Sequence, residues 1–208
     1  MKSTRPYEMR ARADAKAQTR ARILLAVREL AEETLNLDPT LDAVAARAGV
    51  SVQTVLRHFG TRDGLFDAAL EAATESMVDE RAVPVGDVPG AVQAIVDHYE
   101  LRGDFVIRLL AREEDDPRMA QVTARGRVTH REWVDTVFAP KLPPASTERD
   151  ALVDLLVVAT DVYTWKLLRR DRGLSRADAE GRMQRLIGAI LSGGRTGSAT
   201  AATEGAVA

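Results

Sequence analysis

Residues 40–62 read TLDAVAARAGVSVQTVLRHFGTR, and their pattern decides how the chain folds. Thr40 suits a helix N-cap, because its hydroxyl can accept a free amide hydrogen of the first turn. Leu41, Val44, Ala45 and Ala48 recur at helical spacing and make one apolar stripe. Ala45 is small enough to let a second helix backbone come close. Gly49 ends the helix at little steric cost, Val50 plugs the corner, and Ser51 caps a second helix over 52–59. On that helix Val55 and Phe59 share one face. Gln53, Thr54 and Arg57 fall on the opposite arc, with His58 nearer the margin.

A short helix whose outer face carries Gln, Thr and Arg has the shape and chemistry of the recognition helix in a helix-turn-helix. Such a helix fits the major groove of B-DNA, where Gln and Arg read base edges and Thr, Ser and His bond phosphate oxygens. A plain helical corner of an all-α protein shows the same apolar stripe, so the pattern alone leaves that alternative open.

This run resembles the N-terminal DNA-binding domain of the TetR/AcrR family of bacterial transcriptional repressors. The likeness is carried by Leu41-x-x-Val44-Ala45, Ala48-Gly49-Val50-Ser51, Thr54-Val55-x-Arg57-His58-Phe59, and Arg62 with Leu65-Phe66, without a gap. It covers helices 1 to 4 closely; beyond them only length and helical content match. The resemblance implies an all-α fold of about nine helices. A three-helix helix-turn-helix head precedes a helical ligand-binding and dimerisation domain. It also implies contacts to double-stranded DNA from Thr40, Ser51, Val52, Gln53, Thr54, Arg57, His58, Thr61 and Arg62. Arg62 stands where the family usually carries a Lys or Arg that touches DNA. Two positions depart from the family, which usually has Gly at Gln53 and Tyr at Leu56. The lost hydroxyl removes a phosphate contact, and Gln53 adds a side chain able to read a base. Both changes bear on the operator sequence more than on the DNA-binding role.

The 208 residues allow one or two domains with a sizeable core. The chain is 45% hydrophobic and 29% charged, with few aromatics, which suits a mostly helical protein. It has no cysteine, which excludes a disulfide scaffold and a thiolate metal site. No apolar run approaches the ~18–20 residues that cross a bilayer, and no secretory signal is visible, so a cytoplasmic protein without membrane contact is expected. Residues 1–62 carry a net charge of +4 and the remainder −6, the asymmetry of a DNA-docking head on an acidic body.

Residues 1–11 are polar and basic and are expected to form a flexible arm, either a solvated tail or a segment that follows the phosphate backbone. The head spans 12–62, with helix 1 over 12–35. There Arg12, Lys16 and Arg20 share one face, which is either a wet surface or a phosphate-holding one. Residues 63–82 continue as a connecting helix 4, whose stripe runs through Leu65, Phe66, Ala69, Leu70, Ala73 and Met77. The Pro- and Gly-rich VPVGDVPG over 83–90 marks the boundary to an effector-binding and dimerisation domain over 83–192. There, helices are expected near 90–101 and 104–114, divided at Gly103, then over 117–138, 147–170 and from Ser175 to about 191. Residues 193–208 read as a disordered tail.

No catalytic constellation is present: no Walker loop, no GxGxxG, no nucleophile elbow, and no Glu three residues before any histidine. The acidic run Glu113–Asp116 reads as a solvated helix end rather than an oxygen cage for a metal. No enzyme activity, cofactor or metal is therefore expected. His98, Tyr99, Phe105, His130, Trp133, Asp161 and Trp165 form an aromatic group with a few polar members. They are either core filling or the lining of a pocket between helices. The resemblance favours the pocket, for a largely apolar small-molecule effector. It also implies a homodimer through the last two helices, and a two-fold dimer suits a palindromic operator, because it reads two half-sites ~34–36 Å apart. The function expected is a ligand-responsive repressor released from its operator by an effector. A regulator without an effector, whether constitutive repressor or activator, and an all-α enzyme or carrier remain as alternatives.

Overall fold

The computed structural model describes residues 4–201, and the side chains of residues 9–193. All regular structure among the described residues is helical. The order is α1 (Thr4–Thr34), α2 (Leu41–Ala48), α3 (Val52–Phe59), α4 (Arg62–Glu80), α5 (Val88–Leu110), α6 (Pro117–Val137), α7 (Thr147–Ala159), α8 (Val162–Lys166) and α9 (Arg176–Ala201). A 3-10 turn follows α6, and a π turn over Leu167–Asp171 follows α8. No described helix is long and apolar enough to cross a membrane.

Two cores form. The head core joins Ile23, Ala26 and Val27 of α1 to Val44, Ala45 and Ala48 of α2, Val55 of α3 and Leu65 of α4. Its turns follow from local chemistry. Thr40 Oγ accepts from the Ala43 amide at 3.2 Å, and Ser51 Oγ accepts from the Thr54 amide at 3.2 Å. Gly49 lies in the left-handed region, φ 65°, where its amide and that of Val50 reach carbonyls of the last turn of α2. The body core gathers Ile95, Val96 and Tyr99 of α5, Val134 and Val137 of α6, Val153 and Leu156 of α7, Trp165 of α8 and Met183 and Ile187 of α9.

Several expected boundaries move. α1 begins at Thr4, so residues 4–11 continue the helix instead of forming a loose arm; residues 1–3 lie outside the described residues. α9 carries the backbone to Ala201, through much of the segment read as a tail, and residues 202–208 lie outside the described residues. The helix read over 147–170 is broken at Thr160–Asp161, because Asp161 is extended and caps a new helix, its Oδ1 accepting from the Tyr163 amide at 2.8 Å. Glu113–Asp116 also acts locally: Asp116 caps α6, and Glu113 pairs with Arg127 at 2.5 Å.

The division expected at Gly103 does not occur, and α5 runs through it. A Cβ at Gly103 would lie 2.4 Å from Cζ3 of Trp165, whose ring covers the bare backbone. Trp165 is fully buried and donates its indole N–H to Glu100 Oε1 at 3.0 Å. The glycine therefore receives a ring rather than ending a helix. Gly103→Ala is expected to destabilise the fold by ~1–3 kcal/mol through overpacking, read as a lower urea midpoint. Shrinking the ring with Trp165→Phe in the same chain should reduce the loss specific to the alanine.

Candidate nucleic-acid interface and interhelical cavity

The recognition helix presents the arc its sequence assigns. Val55 is fully buried beneath it, whereas Gln53 and Arg57 are exposed and Val52, Thr54 and His58 are half-buried. Thr40, Ser51 and Thr61 are exposed at three helix starts; their hydroxyls cap α2, α3 and α4. Ser51 and Thr54 hydroxyls also meet at 3.0 Å.

α1 supplies a second strip beside this arc. Ala15, Lys16 and Thr19 make a shallow groove with Arg57 and His58. Arg20 lies over the Phe59 ring, 5.3 Å from its centroid. Partial burial, then the charges of Arg57, Lys16 and Arg20, holds the His58 pKa below its ordinary value. The surface around α3 is thus electropositive, built from two helices.

Arg62 is engaged within the chain. Its Nε pairs with Asp38 Oδ1 at 2.8 Å and its Nη2 donates to the Asp38 carbonyl at 2.6 Å. Asp38 precedes α2, so this arginine joins the start of α4 to the loop below the motif. The same carboxylate meets Arg118 of α6, which also pairs with Asp63 at 2.7 Å and covers the Phe66 ring at 4.2 Å. A phosphate contact by Arg62 has to replace the Asp38 pair.

A cavity of about 550 Å³ opens where head and body meet, between α1, α4, α5, α6 and α8. His98, Tyr99, Phe105, His130 and Asp161 line it. Trp133 and Trp165 do not. Trp133 stacks behind His130 and donates its indole N–H to the Arg81 carbonyl at 2.9 Å, and Trp165 is held against Gly103 in the body core. The stripe of α4 faces this space: Ala69, Leu70, Ala73 and Met77 are apolar because they border the cavity.

Sequence reasoning missed Arg81, which is only 4% exposed and lines the cavity. A signal existed, since Arg81 follows Met77 by four residues and so continues the buried register of α4. Around it lies a polar network. Arg81 Nη1 meets His130 Nδ1 at 3.2 Å, and His130 Nε2 meets the Thr160 hydroxyl at 3.1 Å. Thr160 uses its own proton on the Leu156 carbonyl at 2.7 Å. His130 therefore donates from Nε2 and accepts at Nδ1, the neutral tautomer. His98 Nδ1 donates to Glu80 Oε2 at 2.7 Å, and Arg102 Nη2 donates to Glu80 Oε1 at 2.8 Å. Burial alone would raise the Glu80 pKa, but bonds from Arg102 and His98 hold it down at about 2.

These elements define a class: a helix-turn-helix head with an exposed basic recognition surface, joined by one long helix to a helical body with an internal cavity. Residues 36–69 match the model of bacterial regulatory proteins, tetR family. Among solved structures, the fold is similar to that of a transcriptional regulator from Rhodococcus sp. Rha1, with a TM-score of 0.59 and 23% identity, over 84% of this chain and 96% of that one. No curated protein matches the chain. The family match falls on the motif itself, so residues 36–69 resemble the DNA-binding segment of bacterial regulatory proteins of the tetR family.

The two buried histidines set a pH dependence. Burial, then the positive charge of Arg81, lowers the His98 pKa to about 4 and that of His130 to about 3. An unfolded chain takes up these protons near pH 6.5, so below that value it binds more protons than the folded one. Stability present above pH 6.5 should be lost as pH falls toward 4, by at most ~1.4 kcal/mol per pH unit for each histidine. Urea unfolding at pH 7, 6 and 5 measures this, and His130→Asn should show the shallower decline.

Proposed function

We propose that this protein is a transcriptional regulator of the TetR family, a ligand-responsive repressor that binds a palindromic operator as a homodimer and is released by a small-molecule effector. The observation that carries the reading is α4. It starts at Arg62 beside the recognition helix and ends at Glu80, a span of ~28 Å at helical rise, with Met77 and the capping Arg81 in the cavity wall. A ligand in the cavity touches the same helix that supports α3. It shifts the head only through its differential affinity for the two arrangements, and a coupling of ~1–3 kcal/mol weakens DNA binding ~5–150-fold.

In this reading Gln53 and Arg57 read base edges. Ser51, Thr54, His58 and Thr40 meet phosphates, together with Lys16 from α1. The body supplies the two-fold partner surface. α7 leaves Leu155 and Val158 uncovered, and α9 leaves Leu186 at 44% exposure, an apolar strip on the paired last helices. Covering it with the same strip of a second copy forms a four-helix bundle.

Selecting binding sites from random DNA tests the core of this function. A recovered palindrome supports it, and the absence of any enriched sequence sinks it. Against the selected site, Gln53→Ala or Arg57→Ala should relax sequence preference by ~1–3 kcal/mol at the bases they read. Lys16→Ala should instead weaken all sequences alike and flatten the salt dependence by about one counterion. Leu155→Asp with Val158→Asp should give a folded monomer by sedimentation, with operator affinity lost.

A further inference from the structure

Arg81 is chemically incomplete in this fold. Among the described residues, its Nε is the buried side-chain polar atom without a hydrogen-bond partner. Its guanidinium meets neutral groups: His130 Nδ1 at 3.2 Å, and Tyr99, whose ring centroid lies 5.4 Å away. The adjoining carboxylate, Glu80, is already satisfied by Arg102 and His98. Among the described residues Arg81 forms no ion pair, whereas Arg102 pairs with Glu32 and Glu80, and Arg127 with Glu113. A guanidinium keeps its proton in proteins, so titration cannot relieve the burial. A buried charge left without a partner is costly to hold, and a group held at such cost marks a site awaiting a counter-charge.

We propose that Arg81 anchors the carboxylate of a largely apolar organic acid bound in the cavity. This rests on the effector-responsive reading above and names the chemical class of the effector. The guanidinium fork suits a carboxylate, which accepts two parallel N–H bonds, and Nε is one free prong. The body of the acid lies along Leu24, Leu70, Met77, Phe105 and Leu110 in the same wall. Charge in the wall favours an anion: Arg28, Arg81, Arg102, Arg125 and Arg127 line it, against the single acid Asp161. Asp161 is the alternative anchor, for a cation, but its Oδ1 already accepts the Tyr163 amide as a helix cap. An anion on Arg81 also acts at the residue that caps the C-terminus of α4, the helix that begins beside α3.

Three probes that share one chain and differ in headgroup test this with the full chain: dodecanoate, dodecan-1-ol and dodecylamine, each below its micelle threshold. Calorimetry and thermal shift read binding, and release of the selected operator reads response. Dodecanoate is expected to bind about tenfold or more tightly than the alcohol, the scale of a charge-assisted hydrogen bond, and the amine most weakly. Arg81→Gln should abolish the preference of carboxylate over alcohol, and Arg81→Lys should retain part of it. The comparison on the unaltered chain does not depend on any variant folding. Alcohol or amine binding as tightly as the carboxylate overturns the anion site and leaves the effector reading standing. Tight dodecanoate binding that leaves the DNA complex intact upholds the anion site and overturns the release mechanism. No binding by any probe overturns both.

Discussion

The end of α4 is fixed by a partly buried polar junction, and the relation of head to body depends on it. Glu80 accepts from His98 and Arg102 of α5, and Arg102 extends to Glu32 of α1 at 2.6 Å. Trp133 of α6 donates to the Arg81 carbonyl. Four helices are therefore pinned around one turn. A carboxylate that takes two cationic or N–H donors in a partly buried site is worth more than the same pair in water, because little solvent screens it. Removing any one member leaves the others desolvated and unpaired, so the junction is retained or lost as a unit.

A second junction holds the opposite end of α4. Arg118 of α6 reaches Asp38 before α2 and Asp63 in α4, and lies on Phe66; Arg62 closes the set by binding Asp38. This junction is more exposed, with Asp63 at 81% side-chain exposure, and correspondingly weaker. Between the two junctions α4 turns an apolar face to open space. The helix is thus held more firmly at its Glu80 end than at its Arg62 end, the end beside α3.

The head was legible in the sequence because its determinants are local. Caps at Thr40, Ser51 and Thr61, the left-handed Gly49, and the stripe through Val44, Ala45 and Ala48 all act within one or two turns. The body was less so, because its decisive contacts join distant residues. Gly103 looks like a breaker until Trp165, in another helix, fills the space of its missing side chain. The stripe over 147–170 looks continuous until Asp161 proves to be a cap. Trp133 and Trp165 turn out to be core filling rather than cavity lining, since aromatic type says nothing about which face a ring takes. Arg81 escaped notice because a charged residue at an apolar register position is normally read as a margin, and its partner His130 lies far along the chain.

Cavity and junction also explain why a fold would keep both. Filling the space between α1, α4 and α6 with larger side chains would stabilise the chain, as would replacing Arg81 by an apolar residue of similar size. Either change would tie head and body into one rigid packing and remove any second arrangement for a ligand to select. An unfilled, partly charged interior instead keeps the unliganded state marginal at one place. Any molecule that fits it contributes its binding free energy there and nowhere else. In the proposed mechanism, what reaches α3 is set by how differently the weaker, solvent-exposed junction at Asp38 sits in the filled and empty states, since a ligand binding both equally shifts neither.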